Sequence, residues 1–293
     1  MKINGDFKLT NGVISIGVNN MGAELTNLRS EGTGLEYLWQ ADPKFWGKHA
    51  PVLFPIVGAL RDNTYTFQGN TYHMNQHGLA RTMRFDDVAK SDHAISFRLR
   101  ATEETLKHYP FNFELFIDYE LIDDKVIVRY RVHNLDSALM LFSIGGHPGF
   151  RCPLQHGERY EDYSIIIEPP QTLNRYLLDD GLIAPHTEPL LDGEAEIKLT
   201  RDMFDRGALV FKDVDFKSVQ ILNQATGHGV TMEASGFPYF GIWAPPGADF
   251  VCLEPWHGIA DNAVTNQRFE DKEGIRTIAG KSEFSTEFSI KVM

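Results

Sequence analysis

Apolar and polar side chains alternate along residues 113–121, and the same pattern returns along residues 126–132. The first segment directs five apolar side chains to one face: Phe113, Leu115, Ile117, Tyr119 and Leu121. A period of two is that of a half-buried β-strand, in which successive side chains point to opposite faces. Asp123-Asp124-Lys125 supplies a turn between the segments, so we predict an antiparallel hairpin.

Strand signals recur along the rest of the chain, whereas helical periodicity is nearly absent. Further strands are predicted at residues 13–18, 64–67, 71–74, 94–100, 139–144, 163–168, 208–211, 218–222, 230–233, 239–243, 250–253, 275–279 and 284–292. Two helical turns fit residues 101–109 before Pro110, and one fits residues 201–205. The sequence therefore predicts an all-β fold, a large antiparallel β-sandwich with very little helix. No linker or internal repeat divides it, so we expect a single domain over residues 1–293.

Composition excludes several classes of protein. The chain has 28 Lys and Arg against 40 Asp and Glu, a formal net charge of −12, without a basic cluster, which argues against nucleic acid as a partner. Its two cysteines, Cys152 and Cys252, are too few for a disulfide framework or a cysteine-based zinc site. No signal-peptide core or run of ~18 apolar residues is present. We therefore expect a cytoplasmic protein that does not contact membranes.

Glu254 stands at the end of an apolar strand-like run and precedes Pro255 and Trp256. A carboxylate there loses part of its hydration, which raises its pKa toward that of a useful general base. A structural ion pair of an edge-strand glutamate is an equally good interpretation from the residues alone. The indole of Trp256 favours a site, because its face suits the C–H face of a sugar ring.

Three histidines lie in glycine-rich segments that interrupt the alternation, namely His77, His147 and His257. Glycine permits close approach of the backbone to a ligand, although a histidine in such a turn can also simply bind backbone carbonyls. A metal triad is a weaker alternative, because none of the three shows the close His-x-His or His-x-x-x-His spacing. Dinucleotide, P-loop and nucleophile-elbow motifs are absent, and Cys252 in its apolar strand is interpreted as a core residue.

Taken together, these segments resemble the aldose 1-epimerase (galactose mutarotase-like) family, and more closely its LacX-type branch. The resemblance covers nearly the whole chain and is carried by the order of seven runs: Gly22-Ala23-Glu24-Leu25, Glu36-Tyr37-Leu38-Trp39-Gln40, Leu53-Phe54-Pro55-Ile56-Val57-Gly58, His77-Gly78-Leu79-Ala80-Arg81, His147-Pro148-Gly149-Phe150, Gly241-Ile242-Trp243 and Leu253-Glu254-Pro255-Trp256-His257-Gly258.

The resemblance implies a galactose mutarotase-like supersandwich that interconverts the α and β anomers of a hexose, without metal or organic cofactor. Glu254 matches the family's general base, His147 its general acid and His77 a histidine that contacts the sugar. We expect Glu254 near O1 and His147 near O5, on opposite sides of one pyranose-sized space, with Trp243 and Trp256 also contacting the substrate. The expected partner is a small-molecule sugar, bound by a monomer or homodimer.

One departure from the family pattern concerns an arginine that usually holds the sugar, whose position is Ala59 here. In a strand, the side chain of Arg61 would point to the same face as that of residue 59. Arg81 follows His77 closely enough to take the place of the family's arginine. In related hexose-6-phosphate epimerases an arginine in the matching motif helps bind the sugar phosphate. The presence of Arg81 therefore keeps a phosphorylated hexose as an alternative substrate. The family's sugar-binding aspartate has no clear match, and Asp205 is a candidate.

Two other function classes remain at this point. A non-catalytic carbohydrate-binding or sugar-sensing sandwich is motivated by Ala59, because weaker anchoring can leave sugar binding while removing turnover. Glycoside hydrolysis would need a second carboxylate facing Glu254 across a cleft, and the sequence nominates none.

Overall fold

The computed structural model describes residues 5–293, and antiparallel strands dominate them. The strands are β1 Phe7–Thr10, β2 Ile14–Val18, β3 Leu25–Ser30, β4 Val52–Leu53, β5 Thr64–Phe67, β6 Asn70–His73, β7 Asp86–Lys90, β8 Ala94–Arg100, β9 Phe113–Ile122, β10 Lys125–Asn134, β11 Met140–Phe142, β12 Ile144–Gly146, β13 Gly149–Arg151, β14 Ser164–Glu168, β15 Thr172–Asp179, β16 Leu182–Asp192, β17 Glu196–Lys198, β18 Leu209–Lys212, β19 Ser218–Leu222, β20 Gly229–Glu233, β21 Tyr239–Trp243, β22 Phe250–His257, β23 Arg276–Ile278 and β24 Glu283–Val292. The helical turns are α1 Glu103–Leu106 and four 3₁₀ turns at Arg61–Asn63, Ala80–Thr82, Tyr160–Asp162 and Phe269–Asp271.

Two large sheets contain most of these strands. One has nine strands in the order β17-β14-β19-β20-β24-β10-β9-β8-β7. The other has eight, in the order β16-β15-β18-β21-β22-β12-β4, with β13 also paired to β22. The predicted hairpin forms as β9 and β10, with Leu121 opposite Val126. The predicted all-β antiparallel architecture is confirmed.

The two sheets share one hydrophobic core. The side chains of β22 point alternately into this core and to the opposite face of the eight-stranded sheet. Val251 and Leu253 belong to the same buried cluster as Leu115 of the nine-stranded sheet. Burying such a side chain stabilises the fold by roughly 1.5–3 kcal/mol. Because side chains alternate along a strand, Cys252 and Glu254 point to the opposite face of the eight-stranded sheet.

The two predicted helices differ from the structure. The first is shortened to α1, whose single turn begins at a capping box between Thr102 and Thr105. Residues 201–205 form turns instead of a helix. Their hydrogen bonds join residues three positions apart, as when the Asp205 N–H donates to the Asp202 carbonyl at 3.1 Å. No helix in the described part of the chain is long and apolar enough to cross a bilayer.

His257 ends β22 on the core side of the sheet, away from the other two histidines of interest. It is only 5% exposed, its Nε2 lies 3.0 Å from Thr286 Oγ1, and its ring packs on Phe237 at a centroid distance of 4.6 Å. Burial, together with the charge of Arg276, lowers the pKa of His257 to about 4. The alternative of a metal triad that includes His257 therefore finds no support.

This buried histidine makes the fold sensitive to acid. Between about pH 6.5 and about pH 4 the unfolded chain binds a proton at His257 that the folded chain does not, so the free energy of unfolding falls as pH falls through that window. Over the whole window the loss is about 3 kcal/mol. Urea unfolding of His257→Gln should show a correspondingly shallower acid slope than the parent protein. The exposed His186→Gln is the matched control, and equal slopes for parent and His257→Gln would contradict the assignment.

Candidate active site

A cavity of about 310 Å³ opens on the face of the eight-stranded sheet that carries Glu254. Its volume lies at the lower end of the ~300–1,000 Å³ typical of small-molecule sites, which suits a ligand of monosaccharide size. The lining residues are Trp46, Gly58, Gln76, His77, Arg81, His147, Leu178, Gly181, Ile183, Gly207, Ala208, Val210, Trp243, Glu254, Trp256, Ile259 and Ala260.

An interruption in the strand next to β22 brings His147 to Glu254. Strand β12 pairs Gly145 with Trp256, and β13 pairs Gly149 with Cys252. His147 and Pro148 lie between these two strands, where the shared register places them opposite Glu254 and Leu253, and the Leu253 N–H donates to the Pro148 carbonyl at 3.2 Å. β12 ends at Gly146, which the same register places opposite Pro255, a residue that has no N–H to donate to the ladder. Glu254 thus lies inside β22, not at its end as the sequence suggested.

Glu254 and His147 are in direct contact within the cavity. Glu254 Oε2 lies 3.3 Å from His147 Nε2, and the two residues are 2% and 8% exposed. Burial raises the pKa of the Glu254 carboxyl well above its ordinary value, against an opposing effect of the Trp256 indole. Burial also lowers the pKa of His147 to about 3. Both shifts have one main cause, the loss of hydration, so burial favours an uncharged carboxyl and imidazole over an ion pair.

The expectation that these two groups face each other across a pyranose-sized space is wrong. At 3.3 Å they leave no room for a ring between them. Their spacing instead allows both to approach one end of a sugar from the same side, because O1 and O5 are bonded to the same carbon atom.

His77 is held in one tautomer by the chain segment beside it. The backbone N–H of Gly58 donates to the ring Nδ1 of His77 at 3.1 Å, and the backbone N–H of His77 donates to the Gly58 carbonyl at 2.9 Å. An accepting Nδ1 places the ring proton on Nε2, and burial lowers the pKa of His77 well below its ordinary value. His77 therefore presents a neutral N–H donor. Its φ of +66° is in the left-handed region, where histidine is one of the more tolerated residues.

Two tryptophans surround the imidazole of His147. The Trp46 indole stacks on it with a centroid distance of 4.9 Å and an interplanar angle of 27°, and Trp243 meets it edge-on at 5.8 Å. These rings fix the orientation of His147 and exclude water from one side of the pair.

The Trp256 indole lies flat against the eight-stranded sheet because the two residues beneath it, Gly241 and Gly145, have no side chain. A Cβ atom at Gly241 would come within 2.4 Å of the Trp256 ring, and one at Gly145 within 2.5 Å. Glycine at 241 and at 145 is thus required for an indole that packs flat against two strands.

Comparison with known proteins assigns this chain to a family. The sequence model of the aldose 1-epimerase family matches residues 6–275. The chain belongs to the aldose 1-epimerase family.

Individual relatives agree with that assignment. Protein LacX (plasmid) of Lactococcus lactis subsp. lactis is 28% identical over 296 residues, which cover 98% of this chain and 99% of LacX. A galactose mutarotase related enzyme from Lactobacillus acidophilus is 35% identical with a TM-score of 0.94, covering 98% of this chain and 97% of that one. A galactose mutarotase-like protein from Lactobacillus casei ATCC 334 is 31% identical with a TM-score of 0.92, over 98% and 99%. The predicted family, its LacX-type branch and its fold are confirmed.

In this member of the aldose 1-epimerase family, Arg81 is the one Arg or Lys side chain among residues 5–293 that lines the cavity. Its Nη2 donates to the Gln76 carbonyl at 2.8 Å, whereas its buried Nε has no hydrogen-bond partner among the described residues. Burial lowers the pKa of Arg81, an effect that Glu24 opposes through space. None of the ion pairs within residues 5–293 includes Arg81. Its guanidinium therefore retains hydrogen-bonding capacity for a ligand.

The structure does not bring Arg61 and Asp205 to the cavity. Arg61 begins a 3₁₀ turn, so strand parity does not apply to it, and its half-exposed side chain lies beside Asp62 at 3.8 Å. Asp205 is exposed in the turns of residues 201–206. Of the two arginines considered as replacements at Ala59, only Arg81 lines the cavity.

Some lining residues had not been singled out from the sequence. Trp46 lies in a loop without periodicity, and its nearest signal was the aromatic cluster formed with Trp39 and Phe45. Strands β15 and β16 contribute Leu178 and Ile183, but their register shifts break the alternation that reveals a strand.

Proposed function

We propose that this chain is an aldose 1-epimerase-like isomerase that interconverts the α and β anomers of a hexose by general acid–base catalysis. The observation that carries the proposal is the buried contact of Glu254 with His147 at one wall of a cavity of monosaccharide size. An acid and a base that share one proton can serve both oxygens of the anomeric carbon. The family supports the reaction class, and the hexose itself is part of the proposal.

The chemistry needs one proton on the pair, and that proton is conserved. With the proton on His147, the Glu254 carboxylate takes the O1 proton while the imidazolium donates to O5. The C1–O5 bond breaks, its electron pair goes to O5, and C1=O1 forms. The open aldehyde then faces a protonated Glu254 and a neutral His147, the state that burial favours. Rotation about C1–C2 and the reverse transfers close the ring as the other anomer, each group contributing roughly 10²–10⁴-fold.

The rest of the cavity supports substrate positioning. His77 offers an N–H donor for a sugar oxygen, since its Nδ1 is already occupied by Gly58. Trp243 and Trp256 offer aromatic surface to the C–H groups of the ring. These contacts would hold C1 beside the acid–base pair.

Hydrolysis of a glycosidic bond is disfavoured by the lining residues. That reaction uses two carboxylates ~5–10 Å apart on either side of the bond. Within the described part of the chain, Glu254 is the one carboxylate that lines the cavity.

The direct test is anomer exchange followed by NMR, or polarimetry, on freshly dissolved α-hexoses and hexose 6-phosphates. Added protein should accelerate the exchange in proportion to its concentration. If both groups of sugars exchange at the spontaneous rate while calorimetry shows that they bind, the chain is a sugar-binding protein and the proposed activity fails.

A phosphorylated hexose is the second candidate substrate, and Arg81 is the observation that favours it. Its guanidinium lines the cavity without an ion-pair partner, and guanidinium forks bind phosphate oxygens well. Arg81→Met should reduce kcat/KM for the preferred 6-phosphate by roughly 10- to 100-fold, because a hydrogen bond to a charged group contributes about 1.5–3 kcal/mol.

The control for this comparison is Arg61→Met, which removes a cation outside the cavity and should leave kcat/KM unchanged. The unphosphorylated hexose serves as the internal reference. An equal loss on both sugars in Arg81→Met would assign Arg81 to the sugar ring and contradict the phosphate interpretation.

A further inference from the structure

Three side chains with different ligand chemistry meet behind the cavity wall. One atom each from His147, Cys252 and Glu254 lie within 4.8 Å of one another, and all three residues are buried. Within residues 5–293 they form the one group of at least three His, Cys, Asp and Glu side chains with this spacing. Such a convergence of a thiol, an imidazole and a carboxylate is unnecessary for moving a proton between sugar oxygens.

The backbone holds these three groups in place. Cys252 and Glu254 are alternate residues of β22, so their side chains point to the same face. His147 is fixed on both sides, because the strands before and after it are both paired to β22. Two ligands therefore stand on one strand and the third is held between two strands paired to it, which positions a site more accurately than a free loop does.

We propose that His147, Cys252 and Glu254 form a binding site for a thiophilic divalent cation such as Zn²⁺, and that cation and sugar exclude each other. Zinc bonds of ~2.0–2.3 Å in tetrahedral geometry separate the ligand atoms by about 3.3–3.6 Å. His147 Nε2 and Glu254 Oε2 already have that separation, at 3.3 Å. All three ligand atoms lie within 4.8 Å of one another, so the Cys252 sulfur needs to approach by no more than about 1 Å to complete the set.

The ligand set defines which ions fit. A thiolate and an imidazole select zinc or cadmium over magnesium and calcium, which prefer oxygen ligands. Because His147 and Glu254 line the cavity, the fourth position of the ion opens there and can hold water. Cys252 would bind the ion as a thiolate, so binding releases the thiol proton.

Binding of the ion has a consequence for the site. An ion on Glu254 and His147 occupies the lone pairs that would accept the O1 proton and carry the proton to O5. The ion would therefore inhibit anomer exchange and compete with sugar. This inhibition rests on the proposed function, whereas binding of the ion does not.

The test is a titration of the 293-residue chain with Cd²⁺ in the absence of sugar, read by the ultraviolet charge-transfer absorption of a thiolate bound to cadmium. The parent protein should show a saturable band with one ion per chain. In Cys252→Ser the band should disappear. The matched control is Cys152→Ser, because Cys152 is also buried but belongs to no such group, and it should retain the band.

A second measurement does not depend on the thiol signal. Zn²⁺ affinity by calorimetry should fall at least ~10- to 100-fold in Cys252→Ala and in His147→Gln, since loss of even an indirect partner of a ligand costs that much. Thermal unfolding without metal identifies any variant that fails to fold. A parent protein without the band, a band that persists in Cys252→Ser, or one lost in Cys152→Ser would overturn the site.

Activity separates the two proposals. If Cd²⁺ binds and suppresses a measurable anomer exchange, both stand. If the parent binds Cd²⁺ but accelerates no exchange even without metal, the proposed function fails and the metal site stands. If exchange is catalysed but unaffected by saturating Cd²⁺, mutual exclusion is wrong.

Discussion

Replacing Glu254 by glutamine should slow catalysed anomer exchange by roughly 10²–10⁴-fold, the range that a positioned general base contributes. Glutamine keeps the size of the side chain and can still hydrogen-bond His147, 3.3 Å away in the parent protein, but it cannot take the O1 proton. Sugar affinity by calorimetry should change far less than the rate. NMR exchange at substrate saturation measures the difference.

Glu254 and His147 should behave as one unit in such an experiment. Because they share a single proton, a variant with both Glu254→Gln and His147→Asn should be about as slow as either single variant. Glu287→Gln on the nine-stranded sheet, where the carboxylate pairs with Arg129 at 2.7 Å, is the matched control and should exchange at the parent rate. A Glu254→Gln protein with parent activity would exclude Glu254 as the base.

The sequence predicted those parts of the molecule that depend on local periodicity or on short contiguous motifs. Alternation gave the hairpin of β9 and β10, because both strands have one buried face. The motifs around His147 and Glu254 identified the pair that the structure brings into contact. Family resemblance was needed to join them, since 106 positions separate the two residues and no local pattern reports such a contact.

Other features depend on tertiary arrangement and left no periodic signal. Trp46 stacks on His147 from a loop, and its role follows only from where that loop crosses the sheet. The parity argument for Arg61 required a strand, whereas a 3₁₀ turn begins there. The direct contact of acid and base arises from the interruption between β12 and β13, which depends on pairing with β22 and not on spacing along the chain.

A buried ion pair supports one wall of the cavity. Lys272 Nζ donates to Asp261 Oδ1 at 2.9 Å and to the Ile259 carbonyl at 2.6 Å, and the two side chains are only 2% and 4% exposed. Asp261 also accepts from the Arg61 backbone N–H at 3.1 Å. Ile259 and the residue after it line the cavity, so this pair fixes the backbone there.

Lys272→Met should lower the free energy of unfolding by about 3–5 kcal/mol, because it leaves the Asp261 carboxylate buried without a counter-charge. Urea unfolding measures this, with an unchanged m-value showing that the folded state is otherwise intact. Adding Asp261→Asn should recover much of the loss, since the amide oxygen still accepts from Arg61. Lys125→Met, which breaks a partly exposed pair with Glu233, should cost under ~1 kcal/mol. A similarly small loss in Lys272→Met would show that the buried pair is not needed to hold the wall.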